Sequence, residues 1–299
     1  MSGFESIAAR LVEPALQLLG WLPFPGMEYD FTRTALLAAL LVAPMCAALS
    51  VQVVTFRMAF FSDAVAHSSY TGVALGVLAF GAGAPLGVTM AMALFGVIVG
   101  LTVAALREKT RQTPDTLIAI VLYAAVALGL AMVALSSDKG LSATMRPYLF
   151  GVGLEGMTAS DLLMLMFLAV VVVVFQVVGF NRLLLIGLNP VLANTRGIRS
   201  ARWANIFAAI LALVVTGSIR TVGVLVIGAL LIVPAAAARN IARSAGGMFW
   251  WAVAIAVVSA VVGTEMSVVL KNPPVGASVV LSAIAAYGLS EIWRGLRRR

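Results

Sequence analysis

The chain has 299 residues, 62% of them hydrophobic and 11% charged, with a mean hydropathy of +1.07. So little polar surface excludes a water-soluble globule and implies an integral membrane protein. The formal charge of +8 sits at the ends of apolar stretches rather than in one stripe, so it reads as membrane topology and excludes a nucleic-acid partner.

Residues 1–30 lack the basic start and long apolar core of a signal peptide, and Pro14, Pro23 and Pro25 interrupt them. They are expected to form an extracytoplasmic segment with a short interfacial helix and Trp21 at headgroup level. Apolar stretches then follow near 34–55, 58–80, 84–106, 116–136, 160–180, 203–218, 221–238, 248–270 and 275–293. At about 1.5 Å per residue each crosses about 30 Å of hydrocarbon, so 31–299 is expected to be an all-α polytopic bundle of eight to nine transmembrane helices.

The second stretch carries the only histidine, His67, four residues after Asp63. A carboxylate and an imidazole at i and i+4 share one helix face within reach of a common cation, and ionisable groups at membrane depth point to function. The spacing makes Asp63 and His67 candidate ligands of a divalent transition metal; the simpler alternatives are a helix cap for Asp63 and an interhelical hydrogen bond for His67. Carboxylate with imidazole suits Zn²⁺, Mn²⁺ or Fe²⁺. The lone Cys46 excludes an intrachain disulfide and a cysteine-cage centre. Glu265 reads as snorkelling outward, and Asp115 and Asp161 as caps of the helices that follow them.

Two connections are long. The outer one, Ser137–Thr158, is glycine-rich and suits a re-entrant element. The inner one, Asn181–Arg202, is polar, and within it Asn189, Pro190, Val191, Leu192, Ala193, Asn194, Thr195, Arg196 and Gly197 spell a short helix with Asn189 as N-cap, Pro190 at the first position and Gly197 as terminator. That segment reads either as a docking knob or as an ordinary interfacial linker. With the N-terminus outside and the C-terminus inside, Arg57, Arg107, Lys109, Arg111, Arg182, Arg196, Arg199, Arg202, Arg239, Arg243, Arg294, Arg297, Arg298 and Arg299 are cytoplasmic. Only Arg10, Arg33, Lys139, Arg146, Arg220 and Lys271 then lie outside.

The chain has no phosphate-binding G-x-x-x-x-G-K-[ST] loop, no G-x-S-x-G elbow and no H-E-x-x-H, so it lacks the means to hydrolyse ATP by that route and is poor in catalytic groups. Transport is the economical reading. An ion-coupled secondary transporter is the main alternative, but the paired internal repeats usual there are not visible.

Ordered motifs carry a resemblance. Ser62 to Gly76 resembles the D-A-x-x-H-x-x-x-x-G-V-A-x-G signature of the zinc/manganese/iron-type ABC permeases. Pro114-Asp115-Thr116 resembles their acidic D-T segment, and Tyr148-Leu149-Phe150-Gly151 their Y-L-F-G loop. Val222 to Ala236 resembles the V-G-x-L…L-L-I-x-P-A-A helix, and Pro274 to Leu281 the entry to the last span. The family often has proline where Thr71 stands and acidic residues near Pro190 and Val191. The resemblance implies an ABC importer permease in a bacterial cytoplasmic membrane, homodimeric, with no permanently bound cofactor and a transported metal ion. A separate ATP-binding cassette ATPase would drive it, an extracytoplasmic metal-binding protein would load it, and Asn189–Gly197 would be its coupling helix. Two copies around a twofold axis would bring two aspartates and two histidines together, enough for a four-coordinate site. A permease for metal chelates is the near neighbour and would not need two ligands on one helix face.

Overall fold

The computed structural model describes residues 3–21, 28–81, 83–110, 112–135, 157–270 and 274–297. Among them all regular structure is helical: α1 (Gly3–Leu19), α2 (Asp30–Thr55), α3 (Phe61–Phe80), α4 (Pro85–Lys109), α5 (Pro114–Leu135) and α6 (Ala159–Leu188). There follow α7 (Pro190–Thr195), α8 (Ser200–Val222), α9 (Val224–Leu230), α10 (Val233–Ile241), α11 (Ala245–Leu270) and α12 (Val275–Arg297). The expected re-entrant element and the Tyr148–Gly151 loop lie outside the described residues.

Every apolar stretch of the sequence is helical, with three differences in detail. The stretch near 221–238 is two helices, not one: Gly223, at φ +84°, separates α8 from α9, and the helix breaks again at Leu231 and Ile232. Pro234 causes the second break, because it has no N–H to return to Leu230 and fits only the first turn of a new helix. α6 runs on to Leu188, past the expected end near 180, and its 30 residues make about 45 Å, the whole bilayer with headgroups. Third, α1 passes through Pro14 without interruption, burying Ala8 and Val12, and with Thr34 of α2 and Leu162 of α6 it walls a cavity of about 330 Å³.

Eight helical segments among the described residues are long and apolar enough to cross a membrane, counting α9 and α10 as one segment. α3, which holds Asp63 and His67, is not among them.

The chain divides into two compact units. One comprises Met1–Val54, Val152–Val174 and Leu225–Arg299. In it α11 packs on α12 and both pack on α10. A Cβ on Gly263 would collide with the backbone of Val279, so only glycine lets α11 and α12 approach so closely. Asn240 of α10 donates to Ser290 Oγ (3.0 Å) and Glu291 Oε1 (2.9 Å) of α12, and Arg294 pairs with Glu291 at 2.7 Å.

The other unit comprises Thr55–Gly151 and Phe175–Val224. α3 lies at its centre, packed on α4, α5 and α8. A Cβ on Gly72 would stand 2.7 Å from Met92 Cα, and one on Gly76 2.8 Å from Val88 Cα, so α4 rests on the bare backbone of α3. Val73, Ala74, Val77, Val88 and Met92 fill that seam. Thr71 Oγ1 donates across to the Ala125 carbonyl of α5, fixing α3 about its own axis.

Candidate metal site and capped helix

α3 starts after Phe60, which takes the N-cap position with no side-chain hydrogen bond. Asp63 therefore does not cap the helix, and Ser62 Oγ turns back to the Ala59 carbonyl. Nor is His67 an interhelical hydrogen-bonding residue: it is exposed, and among the described residues neither its imidazole nor the Asp63 carboxylate has a hydrogen-bond partner. That role belongs to Thr71. Asp63 still stands in the first turn of α3, where the helix dipole favours a carboxylate.

At 100° per residue, Asp63, His67 and Tyr70 stand within about 60° of one another, and Gly72 and Gly76 lie on the opposite side. α3 is thus seated by its glycine face; on the opposite side Asp63 is half-buried and His67 exposed, while Tyr70 packs beside Gly129 of α5. The remaining polar residues, Ser68 and Ser69, bond to the Val65 carbonyl of their own helix. Beside Tyr70, that leaves one carboxylate and one imidazole on this face. No group of three or more His, Cys, Asp or Glu that could hold a metal forms among the described residues, so no third such side chain joins Asp63 and His67 there.

The second candidate is α7. Asn189 Oδ1 accepts from the N–H groups of Val191 (3.1 Å) and Leu192 (3.0 Å), and Pro190 occupies the first helical position. At the other end Ile198 N–H reaches the Ala193 carbonyl and Gly197 N–H the Asn194 carbonyl, both at 3.0 Å, with Gly197 at φ +76°. This is the paired closure of a helix by a left-handed glycine. Ala193 is buried and anchors the turn, while Val191, Leu192, Asn194 and Thr195 are exposed. A six-residue helix closed at both ends is a rigid protrusion.

Three residues differ from their reading in the sequence. Glu265 does not snorkel: both carboxylate oxygens are shielded from solvent and have no hydrogen-bond partner among the described residues. Its place inside a long apolar run was the available signal. Asp115 sits in the first turn of α5, but Thr113 caps it, accepting from Thr116 N–H at 3.4 Å. Asp161 acts reciprocally with Thr158, whose N–H it accepts at 3.0 Å. Cys46 is fully buried packing.

The chain belongs to the ABC 3 transport family, whose model matches residues 28–293. It is 30% identical to the high-affinity zinc uptake system membrane protein ZnuB of Haemophilus influenzae, over 88% of this chain and 97% of that one. It is 28% identical to the manganese transport system membrane protein MntC of Halalkalibacterium halodurans, over 91% and 94%. Among solved structures it superposes with TM-score 0.72 on PsaBC from Streptococcus pneumoniae in complex with Fab, at 23% identity, covering 88% of this chain and 91% of that one. It is a multi-pass membrane protein with an ABC importer permease fold.

Proposed function

We propose that the chain is the permease subunit of an ATP-driven importer for a divalent transition metal, Zn²⁺, Mn²⁺ or Fe²⁺, with Asp63 and His67 as the ligands it offers in transit. The observation that carries this reading is their position on one face of α3, Asp63 half-buried and His67 exposed, in a member of a transport family whose relatives are named for zinc and manganese. Two copies facing each other complete four ligands, and imidazole with carboxylate is a donor set that suits these cations. A charged pair at this depth is tolerable only against a symmetry mate or a wet cavity, since a lipid-facing charge costs ~3 kcal/mol or more.

Residues 31–299 form the permease domain in a bacterial cytoplasmic membrane, with 1–30 and the N-terminus outside and the C-terminus inside, as the basic residues favour. The partners are a second copy, an ATP-binding cassette ATPase and an extracytoplasmic metal-binding protein; no cofactor is permanently held. Asn189 to Gly197 is the coupling helix, presenting Val191, Leu192 and Thr195 to the ATPase.

Asp63→Ala and His67→Ala are each expected to abolish radiolabelled-metal uptake while the variants still insert and copurify with the ATPase. Normal uptake by both would sink the assignment. Cysteines at Leu192 and Thr195 are expected to crosslink to the ATPase; crosslinks only from 107–111 or 239–243 would move the contact elsewhere.

A further inference from the structure

The helix that leads into the capped α7 and the helix that leads into α3 touch at their ends within one unit. Gly187 lies two residues before Asn189, and a Cβ there would collide with Thr55 Cγ2, so the end of α6 lies directly on the end of α2. Two residues beyond Thr55 the chain turns at Arg57, whose φ of +56° is the one left-handed value on a non-glycine among the described residues. A side chain there costs conformational strain and persists only where the surroundings impose it. Six residues later comes Asp63.

The surroundings that impose it form a continuous ladder. Arg107 of α4 lies over the Phe56 ring at 5.7 Å and donates to Met58 Sδ at 3.3 Å, gripping the turn on both sides of Arg57. Phe56 packs on Phe207 of α8 at 5.4 Å, Phe207 on Phe175 of α6 at 6.4 Å, and Phe175 on Trp203 at 6.4 Å. Arg182 of α6 closes the row 4.9 Å above Trp203. α6 enters α7 and α8 leaves it, so both flanks of the capped helix end in this row. Phe56, Met58, Phe207 and Phe175 are buried, which leaves the row little room to slip.

We propose that Gly187, Thr55, Phe56 and Arg107 are positioning residues that bind the α6–α7 junction and the α2–α3 turn into one body. A displacement of α7 by the ATPase is then delivered to the start of α3 and moves Asp63 and His67. The inference rests on the proposed function for both ends of this path. It requires the Gly187–Thr55 contact to hold throughout the cycle, not to open.

The test uses the reconstituted importer, with ATPase and binding protein, and reads ATP hydrolysed per metal ion imported. Gly187→Leu, which wedges the contact apart, is expected to raise that ratio about tenfold while the ATPase stays docked. Phe56→Ala is expected to raise it in the same direction and serves if the leucine variant fails to fold. In a Cys46→Ala background, Thr55→Cys with Gly187→Cys is expected to form a disulfide on oxidation, because the two Cβ positions, 3.3 Å apart, need to part by only a few tenths of an ångström to reach the range of about 3.5–4.5 Å that a bridge requires. The oxidised pair is expected to import with the wild-type ratio. A ratio unchanged in both Gly187→Leu and Phe56→Ala, or uptake lost on oxidation and regained on reduction, would overturn the one-body proposal and leave the metal site and the docking helix standing. Absence of wild-type crosslinks from Leu192 and Thr195 to the ATPase would instead remove the reading beneath it.

Discussion

Replacing both Gly72 and Gly76 with alanine tests how the ionisable face of α3 is held. The new Cβ atoms would stand 2.7 Å from Met92 Cα and 2.8 Å from Val88 Cα, whereas ordinary contacts begin near 3.4 Å. The atoms in the way are main chain, so no rotamer change relieves the overlap, and α4 has to back away along two adjacent turns. Forced overpacking of this kind costs ~1–3 kcal/mol per site, and the two sites share one displacement, so the pair is expected to cost less than the sum of the single variants. Unfolding of the detergent-solubilised permease, wild type against single and double variants, measures this directly. Metal uptake is expected to fall with it, because the seam that opens seats the helix carrying Asp63 and His67. A double variant as stable as the wild type would show that α4 does not bear on the backbone of α3, and the argument for how the site face is oriented would fall.

Thr71→Val removes the hydrogen bond to the Ala125 carbonyl and is expected to cost only ~0.6 kcal/mol, the usual scale within membranes, so thermal stability should fall slightly with transport retained. Glu265→Gln removes an unpartnered shielded carboxylate and is expected to stabilise the protein in the same unfolding assay; a loss of uptake without loss of stability would show that the carboxylate serves the cation instead. Asn189→Ala frees two backbone donors of α7 and is expected to cost ~1 kcal/mol locally, read as weaker copurification with the ATPase.

The helices were legible because lipid demands length and apolarity, and both are composition. Asn189, Pro190 and Gly197 were legible because caps are local chemistry, set by residues within one turn. The i, i+4 spacing of Asp63 and His67 placed them on one face, but not how that face is turned; that depends on Gly72, Gly76 and Thr71 meeting other helices. The break before Val233 was signalled by Pro234, yet hydropathy alone reads straight through it. Glu265 was misjudged because its distance from the helix end was visible and its enclosure was not. The contact of Gly187 with Thr55 joins residues more than a hundred positions apart, and no local pattern announces it.

The polarity of α3 bears on how the protein is made. With Asp63, His67 and a run of hydroxyl residues, α3 does not qualify as a span on its own, though α2 before it and α4 after it both qualify. The helix inserts less favourably than its neighbours, having Asp63 in its first turn and His67, Ser68, Ser69, Tyr70 and Thr71 in its middle. It is expected to pause or slip back to water until α4 emerges and offers Met92 and Val88 as a surface. A nascent chain truncated between Phe80 and Pro85 is therefore expected to leave α3 accessible to aqueous reagents, and one extended past Lys109 to protect it. Membrane proteases would meet the helix in that interval, so the polar residues of α3 are expected to make it the vulnerable step of biogenesis.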